Sequence, residues 1–533
     1  MIELETGDPW QKDEKGRFIK PASYSRFILP FSYTLNPANA AAVNPDQLFF
    51  RQIRPKEDFD RERLLYFTAE TANVLFQRAI WAEIDADLWH DAGLNGPFSF
   101  QSIERERTVP VCIAPPRLIL FEGHSKKPSL HPTLRHGFLI LDTFFPDADQ
   151  SDNRPSLDDL LEFNELFRYT DCPFPEHIDS FAKALTDFPA DYLTGRKIGE
   201  TKGNDSFFYY KSRWLSLLYN VPLRMQDGQH LLPVLPPNIA CEQGRKVLEN
   251  HLACTNRNCL PYADNRAFVW TAAIVEGGGS ALAEQNNGKV KWPWKFGHWC
   301  KLLNVDKTGF APKESSEFER LWARERTYQR WAELGTWYGY SYHSGAMLAA
   351  PLKEPPLCRY FGEMYFDQVL LLLYLRVTLF AFSRELTRIN QGDNFTELRD
   401  TFKELRASFA KFTNLYQFPL ISNQQQGLEM YNAARKSMDI DALFKEVQEE
   451  ISSTHEFLEM RAISRQTSIT VFLTFIAAVI ALTGLSEWWV KAGDFGKNFF
   501  GNTCIFILLS AGYRWRTAIL RFLKKLYFKT TRE

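Results

Sequence analysis

The sequence predicts an α+β protein with a large mixed domain, long helices after it, and two membrane-spanning helices near the C-terminus. Three observations carry this prediction. Strand and helix patterns alternate over the first 350 residues, a heptad of apolar residues follows, and a charge-free stretch of 21 residues separates Arg465 from Glu487. A chain of 533 residues has room for roughly two to four domains.

The composition excludes some classes of protein. The net charge is -1, which gives no general attraction to polyanions, so we expect no direct nucleic-acid binding. Eight scattered cysteines form no disulfide framework and fit a reducing compartment. The segment 1–20 is charged throughout, so it is expected to be neither a signal peptide nor a membrane span.

Alternating apolar residues and capping signals predict the elements of the N-terminal domain. Strands are expected in 24–35, 134–145 and 265–279, the last one buried and ending in glycines. A helix is expected in 156–169 with Ser156 as its N-cap, and another in 315–335, ending at Gly335. These elements make up an expected domain at 1–355.

Residues 356–466 are expected to form a helical stalk. Its first part, 368–383, is apolar but carries Arg376 in the middle, so a buried helix is favoured over a membrane span. The heptad then places apolar residues at spacings of three and four, and packing within the chain is favoured over an oligomeric coil. Its members are Phe395, Leu398, Phe402, Leu405, Phe409, Phe412 and Tyr416.

The two C-terminal spans are expected in 467–515, followed by a basic tail at 516–533. The second charge-free stretch has 16 residues, between Lys497 and Arg514. Seven Lys or Arg in 514–533, against two in the connecting loop, place both termini in the cytoplasm. A plain hairpin anchor and a pore wall both remain open from topology alone.

One face of the first span favours the pore wall. Small or hydroxylated residues share that face, and bulky apolar residues occupy the opposite face. No glycine or proline lies between Asp439 and Gly484, so one helix can run from the stalk into the span. The predicted pore-lining residues are Thr467, Thr470, Thr474, Ala478 and Ala481.

This arrangement, together with the string "LTFIA" (Leu473 to Ala477), resembles the CorA-type magnesium transporters over roughly residues 360–533. The resemblance implies a homo-oligomer, a pentamer, that carries Mg²⁺ or another divalent cation across the plasma membrane. The family has Gly-Met-Asn at the outer end of its first span. Counting from "LTFIA" puts Ala481, Leu482 and Thr483 there, and matching the glycine puts Gly484, Leu485 and Ser486 there; neither placement retains the asparagine.

A second resemblance concerns the N-terminal part. The strings 260–278 and 327–348 are similar to CorA-like proteins found beside type III CRISPR systems. That resemblance implies a membrane effector in antiviral defence, switched by a nucleotide second messenger that binds the cytosolic domain. A ligand-sensing or regulatory role is therefore expected for residues 1–355.

Two sets of residues are candidate binding sites. The segment "GTWYGYSYHSG" is favoured to be an aromatic-rich core turn, but as a loop it could also stack a nucleobase and bind a phosphate. The ligand-binding candidates are Trp337, Tyr338, Tyr340, His343 and Ser344. Metal candidates are His251, Cys254 and Cys259, with His298 and Cys300 later, but their spacing is not that of a zinc finger.

No cofactor is certain, and the sequence has no catalytic motif of paired carboxylates, nucleophile elbow or HExxH type. We therefore expect a membrane protein that is not an enzyme. Its expected partners are the lipid bilayer, further copies of itself and, as the alternative reading, a small nucleotide.

Overall fold

The computed structural model shows a mixed α+β protein and confirms the coarse fold class. The chain divides into two compact units, Met1–Ser452 and Ser453–Glu533. The expected domain at 1–355 thus continues into helices that the sequence assigned to the stalk. The structure describes residues 2–11, 21–37, 48–102, 107–122, 135–147, 154–168, 223–224, 230–234, 266–276, 285–286, 289–290, 296–306, 317–332, 335–349, 356–391, 395–418 and 420–489.

The first unit is built on a large mixed sheet. The strands are β1 Tyr24–Ser32, β2 Thr34–Pro37, β3 Phe50–Ile53, β4 Ile80–Ile84, β5 Phe98–Ser102, β6 Arg107–Ile113, β7 Arg117–Leu120, β8 His136–Phe144, β9 Leu223–Arg224, β10 His230–Val234, β11 Phe268–Ile274, β12 Gln285–Asn286, β13 Lys289–Val290, β14 Thr327–Tyr328, β15 Thr336–Tyr340 and β16 Ser344–Ala349. The central strands β1, β8 and β11 confirm the three strands expected from the sequence, and β11 is buried along its whole length. The strand order along the main path is β14-β15-β16-β11-β1-β8-β7-β4-β3-β9-β10-β2, with β6 pairing β5 and β8. The short pair β12 and β13 forms a sheet of its own.

Short helical segments connect the first strands of this sheet. They are α1 Pro55–Asp58, α2 Arg61–Leu65, α3 Ala69–Ala72 with a π-helical continuation Asn73–Arg78, and α4 Ala86–Asp91. The carboxylate of Asp85 caps α4 by accepting from the backbone N–H groups of Asp87 and Leu88.

One face of the sheet is covered by helices that the sequence places between strands. Helix α5, Leu157–Phe167, begins in a capping box between Ser156 and Asp159, which confirms the predicted N-cap. Its Phe163 and Phe167 pack against Phe27 of β1. Helix α6, Phe296–Asn304, contributes Trp299, Leu302 and Leu303 to the same core.

The helix expected over 315–335 is shorter than predicted. Helix α7 spans Glu317–Glu325, and the chain turns into strand β14, which pairs with β15. Gly335 lies immediately before β15 with a φ of 73°, a conformation that suits glycine, and does not end the helix. The helix ends earlier than predicted because Thr327 and Tyr328 pair with Gly339 and Tyr338 of β15, a contact between segments that a local pattern does not reveal.

The other face of the sheet is covered by a continuous helical run. It comprises α8, Pro356–Tyr360, a π-helical turn, Phe361–Tyr365, and α9, Phe366–Gln391. Within the part of the chain that the structure describes, Leu357–Ile389 is the one helix that passes a length and composition test for crossing a membrane. Of its most apolar 18-residue window, 89% is buried in the protein, which confirms the buried helix predicted from Arg376.

Helix α10, Phe395–Tyr416, packs its heptad seam on α9. The rings of Phe409 and Phe412 meet Phe382, and Tyr416 meets Tyr374 with ring centroids 4.6 Å apart. Packing within the chain, the alternative favoured from the sequence, is therefore confirmed for this seam.

Two helices complete the described chain. Helix α11 spans Gln425–Ser437 and contacts β15 and α9. Helix α12 spans the 50 residues Ile440–Trp489. It continues without interruption from the predicted stalk into the first predicted membrane span, as the lack of glycine and proline predicted. Residues 490–533, which include the second predicted span and the basic tail, lie outside the described residues.

Candidate ligand pocket and membrane helix

The aromatic segment that holds the ligand-binding candidates is a β-hairpin. Trp337, Tyr338 and Tyr340 lie on β15 with exposures of 4%, 0% and 1%, so their faces contact the protein core instead of solvent. Burial raises the pKa of both tyrosines, so the phenols stay protonated. These three residues are therefore not available to stack a ligand, and they belong to an aromatic core, as the favoured interpretation expected.

The turn of this hairpin positions His343 at the end of the sheet. The Ser341 hydroxyl accepts from the backbone N–H groups of His343 and Ser344, at 3.2 and 3.1 Å. The His343 carbonyl accepts from the N–H of Val269 at 3.0 Å, which ties the turn to β11. The Ser344 hydroxyl donates to the Leu303 carbonyl, so Ser344 has a structural role in holding α6.

His343 lines a pocket together with two arginines, and we call this the basic pocket. Arg266 precedes β11 and Arg376 projects from the middle of α9, so the sheet and the helix meet at this place. Its cavity volume is about 20 Å³. Its remaining lining is apolar and consists of Ile28, Pro30, Phe138, Phe268, Leu373 and Val377.

Contacts with the turn hold the polar groups of the basic pocket in place. The Arg376 guanidinium donates to the Tyr342 carbonyl at 2.5 Å and lies 3.8 Å from the centroid of the Tyr342 ring. The Tyr342 ring in turn packs edge-on against the His343 ring at 4.9 Å. Arg266 Nη2 lies 3.3 Å from His343 Nε2, an arrangement in which a neutral imidazole accepts from the guanidinium.

The charge balance of the basic pocket suits an anion. Its described lining carries two guanidinium groups and no carboxylate. Planar guanidinium forks match carboxylate and phosphate oxygens, and an apolar floor strengthens such contacts by lowering the local dielectric. Of the five ligand-binding candidates, His343 alone lines this pocket; the two arginines were missed because they are far apart in sequence.

The predicted pore-lining residues lie on α12 in the second unit. Thr467, Thr470, Thr474 and Ala478 are exposed on the single chain. The hydroxyls of Thr470 and Thr474 donate to the carbonyls four residues earlier, at 2.9 and 2.8 Å, so both threonines are satisfied without another partner. Ala481, Thr483, Gly484, Leu485 and Ser486 all continue the helix, which extends to Trp489.

Large apolar side chains of the same helix are also exposed. Ile469 and Leu473 are 60% and 59% exposed, and Ile476 is 38% exposed. Phe472 and Phe475, on the face predicted to be bulky, are half-buried. Exposed apolar residues in a charge-free stretch of this length are unfavourable in water and favourable in lipid.

The metal candidates find no support in the described structure. His251, Cys254 and Cys259 lie outside the described residues. His298 pairs with Asp158 at 3.2 Å, and Cys300 is buried, where burial raises the pKa of its thiol to about 12. Among the described residues no group of three or more His, Cys, Asp or Glu could hold a metal ion.

Sequence reasoning also missed a row of buried charges beneath α9. Arg26 on β1 lies 2.9 Å from Asp142 on β8, and Asp142 lies 2.6 Å from Arg117 on β7. Close by, Arg63 makes a two-pronged pair with Asp367 at the start of α9, at 2.7 and 2.6 Å. Single charges inside apolar strands, as in "YSRFILPFS" and "HGFLILDTF", were the available signal.

Comparison with known proteins gives no assignment. No family model, no curated protein and no solved structure matches this chain.

Proposed function

We propose that this chain is a subunit of a CorA-like, homo-oligomeric membrane channel or transporter for divalent cations, gated by its cytosolic domain. One observation carries the proposal. Helix α12 begins in the polar first unit and extends without interruption to Trp489, and its charge-free part leaves large apolar side chains exposed. A membrane is the environment that stabilises such a surface.

The sequence supplies the remaining topology. A second charge-free stretch follows at 498–513, and the basic tail after it favours a cytoplasmic C-terminus. We therefore place the protein in the plasma membrane with two spans and both termini in the cytoplasm.

The exposed threonine and alanine face supports an oligomer. Small residues let helices approach closely, so copies of α12 can pack around a common axis through this face. The number five comes from the resemblance to CorA-type transporters. Neither placement of the family's Gly-Met-Asn retains the asparagine, so Mg²⁺ is one of several cations to be tested.

Flux through liposomes tests this function. The full-length protein would be reconstituted, and Mg²⁺, Co²⁺ and K⁺ flux would be measured beside the mass of the purified oligomer in mild detergent. Replacing Thr474 by Trp is expected to block flux, because its side chain lies on the proposed pore face. Replacing the neighbouring Phe475 by Trp, on the opposite face, is the matched control and should retain flux. A monomer without flux would overturn the proposal.

The basic pocket favours a second candidate function, that of a defence effector opened by a nucleotide second messenger. Two arginines and His343 at the junction of sheet and α9 suit the phosphates of such a ligand. Binding of cyclic oligoadenylates and adenylylated S-adenosylmethionine to the full-length protein tests this candidate.

The variants Arg266→Gln and Arg376→Gln are expected to weaken nucleotide binding at least tenfold, because charge-assisted hydrogen bonds are lost. Arg388→Gln is the matched control, since Arg388 lies on the same helix, is 65% exposed and pairs with Glu385. Absence of binding by every nucleotide removes the effector function and leaves the channel proposal standing.

A further inference from the structure

The helical run that covers one face of the sheet contains a turn of unusual geometry. Residues Phe361–Tyr365, between α8 and α9, form a π-helical turn, in which a carbonyl bonds to the N–H five residues ahead instead of four. Such a turn holds about one residue more than a turn of α-helix. Turns of this kind are rare inside helices and frequent at functional sites, so this one is a candidate for a conformational role.

Two side chains of the sheet hold the π-helical turn in this geometry. The indole N–H of Trp270 on β11 donates to the Phe361 carbonyl at 3.2 Å, and the two rings stack with their centroids 4.0 Å apart. The guanidinium of Arg26 on β1 donates to the Gly362 carbonyl. Two carbonyls of the turn therefore accept hydrogen bonds from outside the helix, and the turn depends on donors that belong to the sheet.

The extra residue of the turn determines which side chains of the run face α2. Arg359 on α8 lies 3.0 Å from Asp60 and 3.1 Å from Glu62. Asp367, at the start of α9, lies 2.6 Å from Arg63. In an uninterrupted α-helix, residues eight positions apart point about 80° apart, whereas residues seven positions apart share a face. The π-helical turn thus lets Arg359 and Asp367, eight positions apart, face the same short segment.

The same run has a second possible register. If the turn became α-helical while α9 stayed in place, α8 would rotate by about 100° and each of its residues would move by one position. Tyr360 would then take the place of Arg359 opposite α2, and Arg359 would take the place of Cys358. Tyr360 already reaches α2, because its hydroxyl donates to Glu62 at 2.5 Å.

The surroundings of α8 leave room for this movement. Residues 357–360 are only half-buried, whereas the first residues of α9 are buried. A cavity of about 40 Å³ lies beside Cys358 and is also lined by Tyr24. The Tyr24 hydroxyl makes no hydrogen bond within the described structure, so Arg359 would meet an available acceptor there in the second register.

The ion pairs on the two sides of the turn differ in exposure. The Arg359 side chain is 28% exposed, and its partners Asp60 and Glu62 are 40% and 48% exposed. Arg63 and Asp367 are 7% and 0% exposed. Salt screens exposed pairs much more than buried ones. The contact of α8 with α2 is therefore easier to release than the contact at the start of α9.

We propose that the π-helical turn is a register switch for α8, locked by the ion pairs between Arg359 and the segment that begins α2. In the locked register the turn is π-helical, and in the released register it is α-helical and α8 is rotated. The turn receives bonds from the sheet and continues into α9, on which α10 and α11 pack, so the switch links the sheet to these helices. Its test involves no ion flux, so its failure and that of the channel proposal are distinguishable.

Amide hydrogen exchange of the full-length protein in detergent tests the switch, because each change of register breaks the hydrogen bonds of α8. Arg359→Gln is expected to speed exchange in 356–365 about tenfold or more and to leave 370–385 unchanged, which also reports that the variant folds. Raising the salt from ~0.05 M to ~1 M should act on the wild-type protein in the same direction. Arg388→Gln, which removes an exposed pair with Glu385 on α9, is the matched control.

Deleting Gly362 separates a register switch from fraying of α8. The shortened run fits a continuous α-helix in which Arg359 and Asp367 are seven positions apart, so both contacts with α2 remain and no second register exists. In this background Arg359→Gln is expected to change the exchange of α8 by less than about twofold. Deleting Thr378, in the α-helical part of α9, is the matched control and should remove the protection of 370–385, because it turns buried side chains away from the core.

Three results would overturn the proposal. The first is unchanged exchange of α8 both in Arg359→Gln and at high salt. The second is an equal effect of Arg359→Gln with and without Gly362, which would show that α8 frays without changing register. The third is a loss of protection in 370–385 when Gly362 is deleted, which would show that the turn has no residue to spare.

Discussion

Helices α9 and α12 are both long and apolar, yet their environments are opposite. The most apolar window of the helix that includes α9 has a mean hydropathy of 1.5 and is 89% buried inside the protein. The charge-free part of α12 exposes Ile469, Leu473 and Ile476. Apolarity alone therefore does not separate a core helix from a membrane helix, because both environments stabilise the same side chains.

The placement of charge makes the difference. Arg376 interrupts the apolar run of α9, and its guanidinium is held by Tyr342 of the neighbouring hairpin turn. Asp367 lies at the start of the same helix, fully buried against Arg63. Helix α12 has no charge between Arg465 and Glu487, so nothing in that stretch requires a polar partner.

Placing two arginines in the charge-free stretch of α12 should have the largest effect. Leu473→Arg combined with Ile476→Arg costs about 2.5–3.5 kcal/mol of membrane insertion for each arginine near the centre of a span. We expect the double variant to leave the membrane fraction when cell membranes are separated by centrifugation. Phe380→Arg on α9, where Phe380 is 38% exposed, is the control and should leave the partition unchanged. Retention of the double variant in membranes would contradict the assignment of α12.

The same comparison explains how much the sequence could predict. Local patterns were sufficient for β1, β8, β11, α5 and α9, because alternation, capping residues and an interrupted apolar run act over a few neighbouring positions. The heptad pattern also predicted that its apolar seam packs within the chain, because a wide aromatic seam suits a buried face better than a tight coiled coil.

Contacts between distant residues were beyond prediction. The basic pocket joins Arg266, His343 and Arg376 from three elements. The pairing of β11 with β16 brings Arg266 beside His343, and the packing of α9 against the sheet adds Arg376. The stacking alternative for the aromatic segment around Trp337 failed for a related reason, because glycines that suggested a loop serve close packing instead. A Cβ atom at Gly345 would lie 2.3 Å from the Trp270 ring, and at Gly339 2.7 Å from Trp299.

Replacing one leucine on each helix by alanine should give the second-largest effect and should distinguish the environment of α9 from that of α12. Leu370 on α9 is fully buried, so Leu370→Ala is expected to lower the free energy of unfolding by about 2–5 kcal/mol. Leu473→Ala on α12 should change it by less than about 0.5 kcal/mol, because 59% of that residue is already exposed. Denaturant unfolding of both variants in detergent checks the pair, and equal losses would show that Leu473 is covered.

A buried histidine beneath α9 should give the next largest effect. Burial lowers the pKa of His136 to about 3, and Arg384 on α9 adds to the shift. Below pH ~6.5 the unfolded chain binds a proton at this histidine and the folded chain does not. The free energy of unfolding therefore falls as the pH drops from there toward 3. Between pH 8 and 5 we expect a loss of about 2 kcal/mol from this residue.

The variant His136→Gln isolates that contribution. Glutamine can retain the contact with the Ser32 hydroxyl, which lies 3.1 Å from His136 Nδ1, but it does not titrate. The wild-type stability minus that of the variant should therefore decline as the pH falls from 8 to 5. A difference that is independent of pH would mean that His136 has the same pKa in the folded and the unfolded protein.

The smallest effect is expected where α12 precedes its charge-free stretch. Met460 and Ile463 are 63% and 62% exposed there, among charged neighbours such as Glu459 and Arg461. The double substitution Met460→Ser and Ile463→Ser should change the unfolding free energy of the dilute protomer by less than about 0.5 kcal/mol, because little buried area is lost. Unfolding followed over a range of protein concentrations gives the measurement. A loss well above that limit that grows with protein concentration would mean that another copy of the chain covers these side chains. Helix α12 would then form an interface between copies before Arg465 and a membrane span after it.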